Sequence, residues 1–139
     1  MGDEAANVEI LKKAYKAWND TRGASVDHWF AFLHDDIRFG SLAAGAAHVA
    51  FATNYNNKQA LRAYFDGLLG SWEMIHFTPR EYVAQGDAVV MRGDIGWRNK
   101  RTGKIFSSPK CDFWRFREGK AIEYFEFYDT AGLHAAAID

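Results

Sequence analysis

The sequence predicts an α+β fold in which three helices come first and a curled antiparallel sheet follows. Three observations point to it. Apolar residues recur at helical spacing only up to Trp72. From about residue 74 the chain is rich in Val, Ile, Phe, Tyr and Trp, which favour strands. Glycine-containing turns, Gly86-Asp87, Arg101-Thr102-Gly103 and Glu118-Gly119, divide this second half into hairpins. Helices first and hairpin-linked strands later exclude a parallel, doubly wound sheet.

The elements follow in order. Val8, Leu11, Tyr15 and Trp18 fall on one stripe, so about residues 7–21 form an amphipathic helix that Gly23 ends. Ser25 or Asp27 can cap a shorter helix whose stripe is Val26, Trp29, Phe30 and Leu33. Asp35-Asp36-Ile37-Arg38-Phe39 is a short strand. Residues 41–57 are rich in Ala, Gly and Asn without a firm period, the texture of either a packed surface loop or a lid. Asn57 can cap a third helix carried by Leu61, Tyr64, Phe65, Leu68, Leu69 and Trp72. Strands are expected over about 74–85, 87–99, 104–117 and 120–129, and the Ala-rich tail from Thr130 can form a helical turn. A curled sheet covered on one face by the helices would enclose a cone-shaped pocket.

Composition narrows the function classes. With 139 residues the chain is expected to be one domain, 1–139. Charged residues make up 25% and the net charge is −1, so nothing draws nucleic acid or an anionic membrane over distance. No apolar run approaches a membrane span, and Met1-Gly2-Asp3-Glu4 has no signal-peptide character, so a cytoplasmic location is expected. One cysteine, Cys111, excludes an intrachain disulfide, and no Cys/His spacing makes a zinc site; no metal or cofactor is expected. Aromatic residues reach 16%, more flat surface than a small core needs, which suits a lined cavity or an oligomer face.

Strand alternation sorts the polar residues by face. Arg92 and Asp94 share a side with Val90; Asp112 shares one with Trp114 and Phe116; Glu126 shares one with Ile122, Tyr124 and Tyr128. In one register Arg92, Asp94, Asp112 and Glu126 converge in an apolar pocket, where like charges and desolvation would raise a carboxyl pKa. One acid would then donate a proton while another accepts one. In the other register they are solvated strand residues.

The phrases Gly119-Lys120-Ala121-Ile122-Glu123 and Phe127-Tyr128-Asp129-Thr130-Ala131-Gly132-Leu133, with the order of elements, resemble the nuclear transport factor 2-like superfamily in its SnoaL-like and ketosteroid isomerase-like branch. The resemblance implies a cone-shaped, cystatin-like α+β barrel and a homodimer through the outer face of the sheet. Asp112-Phe113-Trp114-Arg115-Phe116 is similar to the isomerase strand that begins with its oxyanion aspartate. The isomerase's base would fall at Ser41 and its oxyanion tyrosine near Ala14 or Tyr15. Arg92-Gly93-Asp94 with Glu126 is similar to the acid–base trio of limonene epoxide hydrolase, whose water-holding partners would fall on Phe39 and Ser41. SnoaL-like cyclases carry a functional acid near Glu126.

The expected activity is cofactor-free acid–base chemistry (isomerisation, cyclisation, dehydration or epoxide hydrolysis) on a small, mostly apolar molecule. Catalysis is assigned to Arg92, Asp94, Asp112 and Glu126, and substrate binding to Tyr15, Trp18, Phe39, Phe65, Trp114, Tyr124 and Tyr128. The alternative is a ligand-binding or dimerisation module without turnover.

Overall fold

The computed structural model describes residues 3–46 and 48–139. Met1, Gly2 and Ala47 lie outside the described residues. With them go the first half of the acidic N-terminal tetrapeptide and one position of the 41–57 segment.

Helix α1 spans Asp3–Asp20 and buries Asn7, Leu11, Ala14, Tyr15 and Trp18 against the sheet. Each large apolar side chain hidden this way contributes roughly 1.5–3 kcal/mol. Gly23 ends the helix as expected: its N–H meets the Trp18 carbonyl at 3.0 Å and its φ is +89°. A side chain there would be strained, and its Cβ would also meet Leu69 at 3.0 Å. Helix α2 is Val26–Phe30, and the Ser25 side chain makes no capping hydrogen bond to it. Strand β1, Leu33–Ser41, takes in Leu33, which had been expected on the helix.

The 41–57 segment is packed, with Ala43, Val49 and Ala52 buried. Tyr55 bridges back to Phe39 through two backbone hydrogen bonds of 2.9 Å. Asn57 accepts the Ala60 N–H at 2.8 Å and so caps the turn leading into α3, Leu61–Ser71. Trp72 takes an extended conformation and opens β2, Trp72–Gln85, rather than closing the helix; Gly70 weakens the turn before it.

Strands β3 (Ala88–Asn99), β4 (Ile105–Arg117) and β5 (Lys120–Tyr128) follow within a residue or two of their expected limits, and α4 is Thr130–Ala137. The β4–β5 turn is the two-residue kind that the sheet's twist favours, with positive φ at both Glu118 and Gly119. Asp129 caps α4 by accepting the Gly132 N–H.

The sheet has the order β1-β5-β4-β3-β2. It is mixed, not wholly antiparallel, because β1 runs parallel to β5. No hairpin ties β1 to β2, and β1 instead lays Phe39 on Tyr124 with ring centroids 4.3 Å apart. The sheet is open, with β1 and β2 as its edges, and with most of its strands after α1–α3 it has the layout of the expected α+β fold.

Candidate functional site

Strands β4 and β5 place three cross-strand pairs side by side on the inner face: Lys110 with Tyr128, Asp112 with Glu126, and Trp114 with Tyr124. The row through the acids extends to Ser41 on β1 and Met91 on β3. Alternation therefore turns Lys110, Asp112, Tyr124 and Glu126 toward the helices. There they floor an aromatic-walled chamber of about 70 Å³, room for roughly five waters.

A lysine ammonium holds the two acids together. Lys110 Nζ lies 2.8 Å from Asp112 Oδ1 and 3.1 Å from Glu126 Oε1, and it donates to the Tyr124 hydroxyl at 2.9 Å. Tyr124 lies 3.0 Å from both carboxylates. From α1, Tyr15 donates to Asp112 Oδ2 at 2.5 Å and accepts the Trp114 indole N–H at 2.9 Å. From α3, Tyr64 donates to Glu126 Oε1 at 3.1 Å.

Both Asp112 oxygens are thus engaged, whereas all the donors to Glu126 converge on Oε1. No donor among the described residues reaches Glu126 Oε2. Among the described residues, the side-chain atoms that are both fully enclosed and unpartnered are Ser25 Oγ, Trp29 Nε1 and Trp72 Nε1. Oε2 is not among them, so it borders open space, and Glu126 lines the chamber while only 2% exposed.

Burial and charge set the protonation states. Burial pushes the Asp112 carboxyl up; Lys110 opposes this and Glu126 adds to it. Burial works against the Lys110 charge, but the two carboxylates outweigh it and hold its pKa above that of a free lysine. Desolvation drives the hydroxyls of Tyr15, Tyr64 and Tyr124 well above the ordinary tyrosine value, with neighbouring carboxylates adding to the rise.

The expected site is corrected in one part. Asp112 and Glu126 meet in the chamber, but Arg92 and Asp94 lie on the opposite face of the sheet. Cross-strand partners share a face, and Met91 opposes Asp112; inward Asp112 therefore fixes Met91 inward and Arg92 outward. The opposite register would have buried two charges and exposed Met91, Ile95 and Trp97. Arg92 pairs with Glu81 at 3.0 Å, and Asp94 pairs with Arg80, which holds its carboxyl below the usual range. Gly93, between them, is where β2 and β3 approach closely: a Cβ there would lie 2.4 Å from the Thr78 carbonyl oxygen.

The cation that the site does contain, Lys110, was not anticipated, although it lies two residues before Asp112 on the same alternating face. Tyr64 was expected only as a helix-packing residue. Tyr15, Trp18, Phe39, Phe65, Trp114, Tyr124 and Tyr128 all line the chamber. Ser41, where the isomerase likeness puts a base, sits opposite Glu126. Among the described residues no group of three or more His, Cys, Asp or Glu side chains is placed to hold a metal ion. Nor is any helix there long and apolar enough to cross a membrane.

Solved structures share this architecture. An NTF2-like protein of unknown function from Burkholderia pseudomallei matches with a TM-score of 0.84 at 19% identity, over 96% of this chain and 98% of that one. TerC, co-crystallised with polyporic acid, matches at 0.78 and 20%, over 94% and 97%. A protein of ketosteroid isomerase-like fold from Catenulispora acidiphila, in complex with trimethylamine, matches at 0.75 and 15%, over 93% and 92%. At these identities the likeness shows the fold alone. A search of the curated proteins finds no match. The SnoaL-like domain profile matches residues 11–124, most of the length that builds the helices, the sheet and the chamber floor, and the chain belongs to that family.

Proposed function

We propose that the chain is a small-molecule enzyme that moves a proton within its substrate without a cofactor, with Glu126 as the proton carrier. The observation that carries this reading is the one-sided engagement of Glu126. Three donors hold Oε1, and Oε2 is left to an aromatic-walled chamber. Walls of this kind suit a mostly apolar substrate. Membership of the SnoaL-like family supports isomerisation or cyclisation as the reaction class, and dehydration or epoxide opening would use the same shuttle.

The step balances within the site. Glu126 Oε2 takes a proton from carbon beside a substrate carbonyl, and the electron pair passes to the carbonyl oxygen. Neutral Glu126 then releases the Tyr64 and Tyr124 hydroxyls and the Lys110 ammonium from its own charge. Those donors turn to the new oxyanion, so one donor set follows the charge from enzyme to substrate. Returning the proton to a second carbon completes an isomerisation. Asp112 positions Tyr15 and Lys110 throughout.

A panel of enones and epoxides tests the reading. Glu126→Gln is expected to lose about 10²–10⁴-fold in turnover. Asp94→Asn, on the far face of the sheet, is expected to match the wild type. Undiminished turnover in Glu126→Gln would reject the assignment. A second reading, a dimerising module, is favoured by the outer-face row Val90, Phe113 and Phe125 beside Phe127, which is 45% exposed. The partner is then a second copy of the chain, and Phe127→Asp should shift a dimer to monomer in light scattering.

A further inference from the structure

The chamber's polar groups can be counted as donors and acceptors. The floor's donors are the three Lys110 N–H bonds, the hydroxyls of Tyr15, Tyr64 and Tyr124, and the Trp114 N–H; the walls add the Tyr128 hydroxyl and the unpartnered indole N–H groups of Trp29 and Trp72. The hydrogen bonds and ion pairs of the floor donors run to Asp112, Glu126 and one another's hydroxyls. Against them stand two carboxylates, one of which has an oxygen that no described residue serves. At rest the floor's own donors are spent on its own acceptors, and one carboxylate oxygen is left over. One ammonium stands there against two acids. A cationic group elsewhere on the ligand therefore gains a favourable charge contact that a neutral or anionic group does not.

The walls add a second, independent preference. Trp18, Trp29, Phe39, Phe65, Trp114 and Tyr124 all line the space. Ring faces are negative, and an enclosure of them attracts alkylated ammonium groups while accommodating their apolar carbons. Lys110 already uses this field, with Nζ 5.1 Å from the centroid of Phe77 and 5.6 Å from that of Tyr124.

We propose that the group recognised in this chamber is a protonated alkylamine. Its charge lies in the field of the two floor carboxylates and its alkyl carbons lie on the aromatic walls, which leaves Glu126 Oε2 to the carbon-bound proton. The space of about 70 Å³ suits a head group of a few heavy atoms attached to a larger apolar skeleton. This assignment rests on the preceding reading that the chamber is the substrate site, and it adds the charge that the substrate carries.

The experiment compares two soluble probes of nearly equal shape by calorimetry or tryptophan fluorescence at neutral pH. Dimethylaminoethanol is cationic, and isoamyl alcohol is its neutral carbon counterpart. The amine is expected to bind about tenfold more tightly or better. In Glu126→Gln, with its fold confirmed by circular dichroism, the ratio of amine to alcohol affinity should fall to about one. Equal binding of both probes to the wild type overturns the amine assignment and leaves the chamber a binding site. An amine preference that survives in Glu126→Gln overturns it as well. If neither probe binds, the assignment fails and so does the reading of the chamber as a substrate site.

Discussion

Strand β4 carries two arrangements of one cation between two carboxylates, on opposite faces of the same sheet. Inside, Lys110 lies 2.8 Å from Asp112 and 3.1 Å from Glu126, with all three side chains at most 7% exposed. Outside, Arg115 lies 2.7 Å from Asp87 and 3.2 Å from Glu123, with exposures from 36 to 55%. Distance does not separate the two; solvent does. Water screens the outer trio and can replace any lost partner. The inner trio has only its own members and three tyrosines, so each charge depends on the others. Residue types that could carry chemistry occur on both faces, and burial decides which set is able to.

The sharpest way to break this comparison is to remove each cation. Lys110→Met leaves two acids buried without their counter-charge and is expected to cost about 3–5 kcal/mol in denaturant unfolding. Neutralising an acid as well, in Lys110→Met with Glu126→Gln, should recover much of that loss, because the two sites are coupled. A cost below about 1 kcal/mol for Lys110→Met would mean that water reaches the inner trio as freely as the outer one.

Alkali offers a second probe that only the inner face should answer. Tyr15, Tyr64 and Tyr124 keep their protons in the fold well above 10.0, the ordinary value at which they ionise in the unfolded chain. Lys110 also holds its proton beyond the free-lysine value of 10.5. For all four groups the unfolded state binds fewer protons than the fold once the pH passes their ordinary values, so stability falls as pH rises. Tm should drop steeply above about pH 10, and tyrosinate absorbance should appear together with unfolding. Phenolate absorbance from all six tyrosines before unfolding would show the inner face to be wet. Asp112 has the same sign at the acid end: its carboxyl is pushed up from 3.8, so its contribution declines as pH rises through that region.

The same contrast explains what could be read from the sequence. Helical stripes and hairpin turns are local, and they located most elements closely. The parallel pairing of β1 was not legible, because no turn connects it to β5. Aromatic wall positions were legible because apolar alternation marks an inner face wherever it occurs. The charged residues were harder. Arg92 and Asp94 alternate as well as Asp112 does, and only the cross-strand opposition of Met91 to Asp112 separates them. Lys110 shows the reverse case: its spacing from Asp112 was visible, but a lysine is the residue least expected inside.

Gly93 sits where the two faces are closest in sequence, between outward Arg92 and Asp94. Gly93→Ala would force the backbone of β3 away from Thr78, at a cost of about 1–3 kcal/mol. It should do so with both ion pairs beside it intact, which separates the backbone's demand from the charges'.

The smallest effects belong to the outer charges themselves. Arg115 holds Asp87 and Glu123, and these contacts raise its pKa, the Glu123 hydrogen bond most. Yet all three side chains stay wet, and exposed pairs of this sort contribute about 0–1 kcal/mol. Arg115→Ala should therefore change stability by no more than about 1 kcal/mol, and the change should shrink further as salt screens the surface. Arg92→Ala should behave in the same way through its pair with Glu81. The inner trio should keep its dependence on Lys110 at high salt, because no ions enter to screen it. If the losses in Arg115→Ala and Lys110→Met diminished together with added salt, the two faces would be electrostatically alike, and the proton chemistry assigned to Glu126 would lose its dry setting.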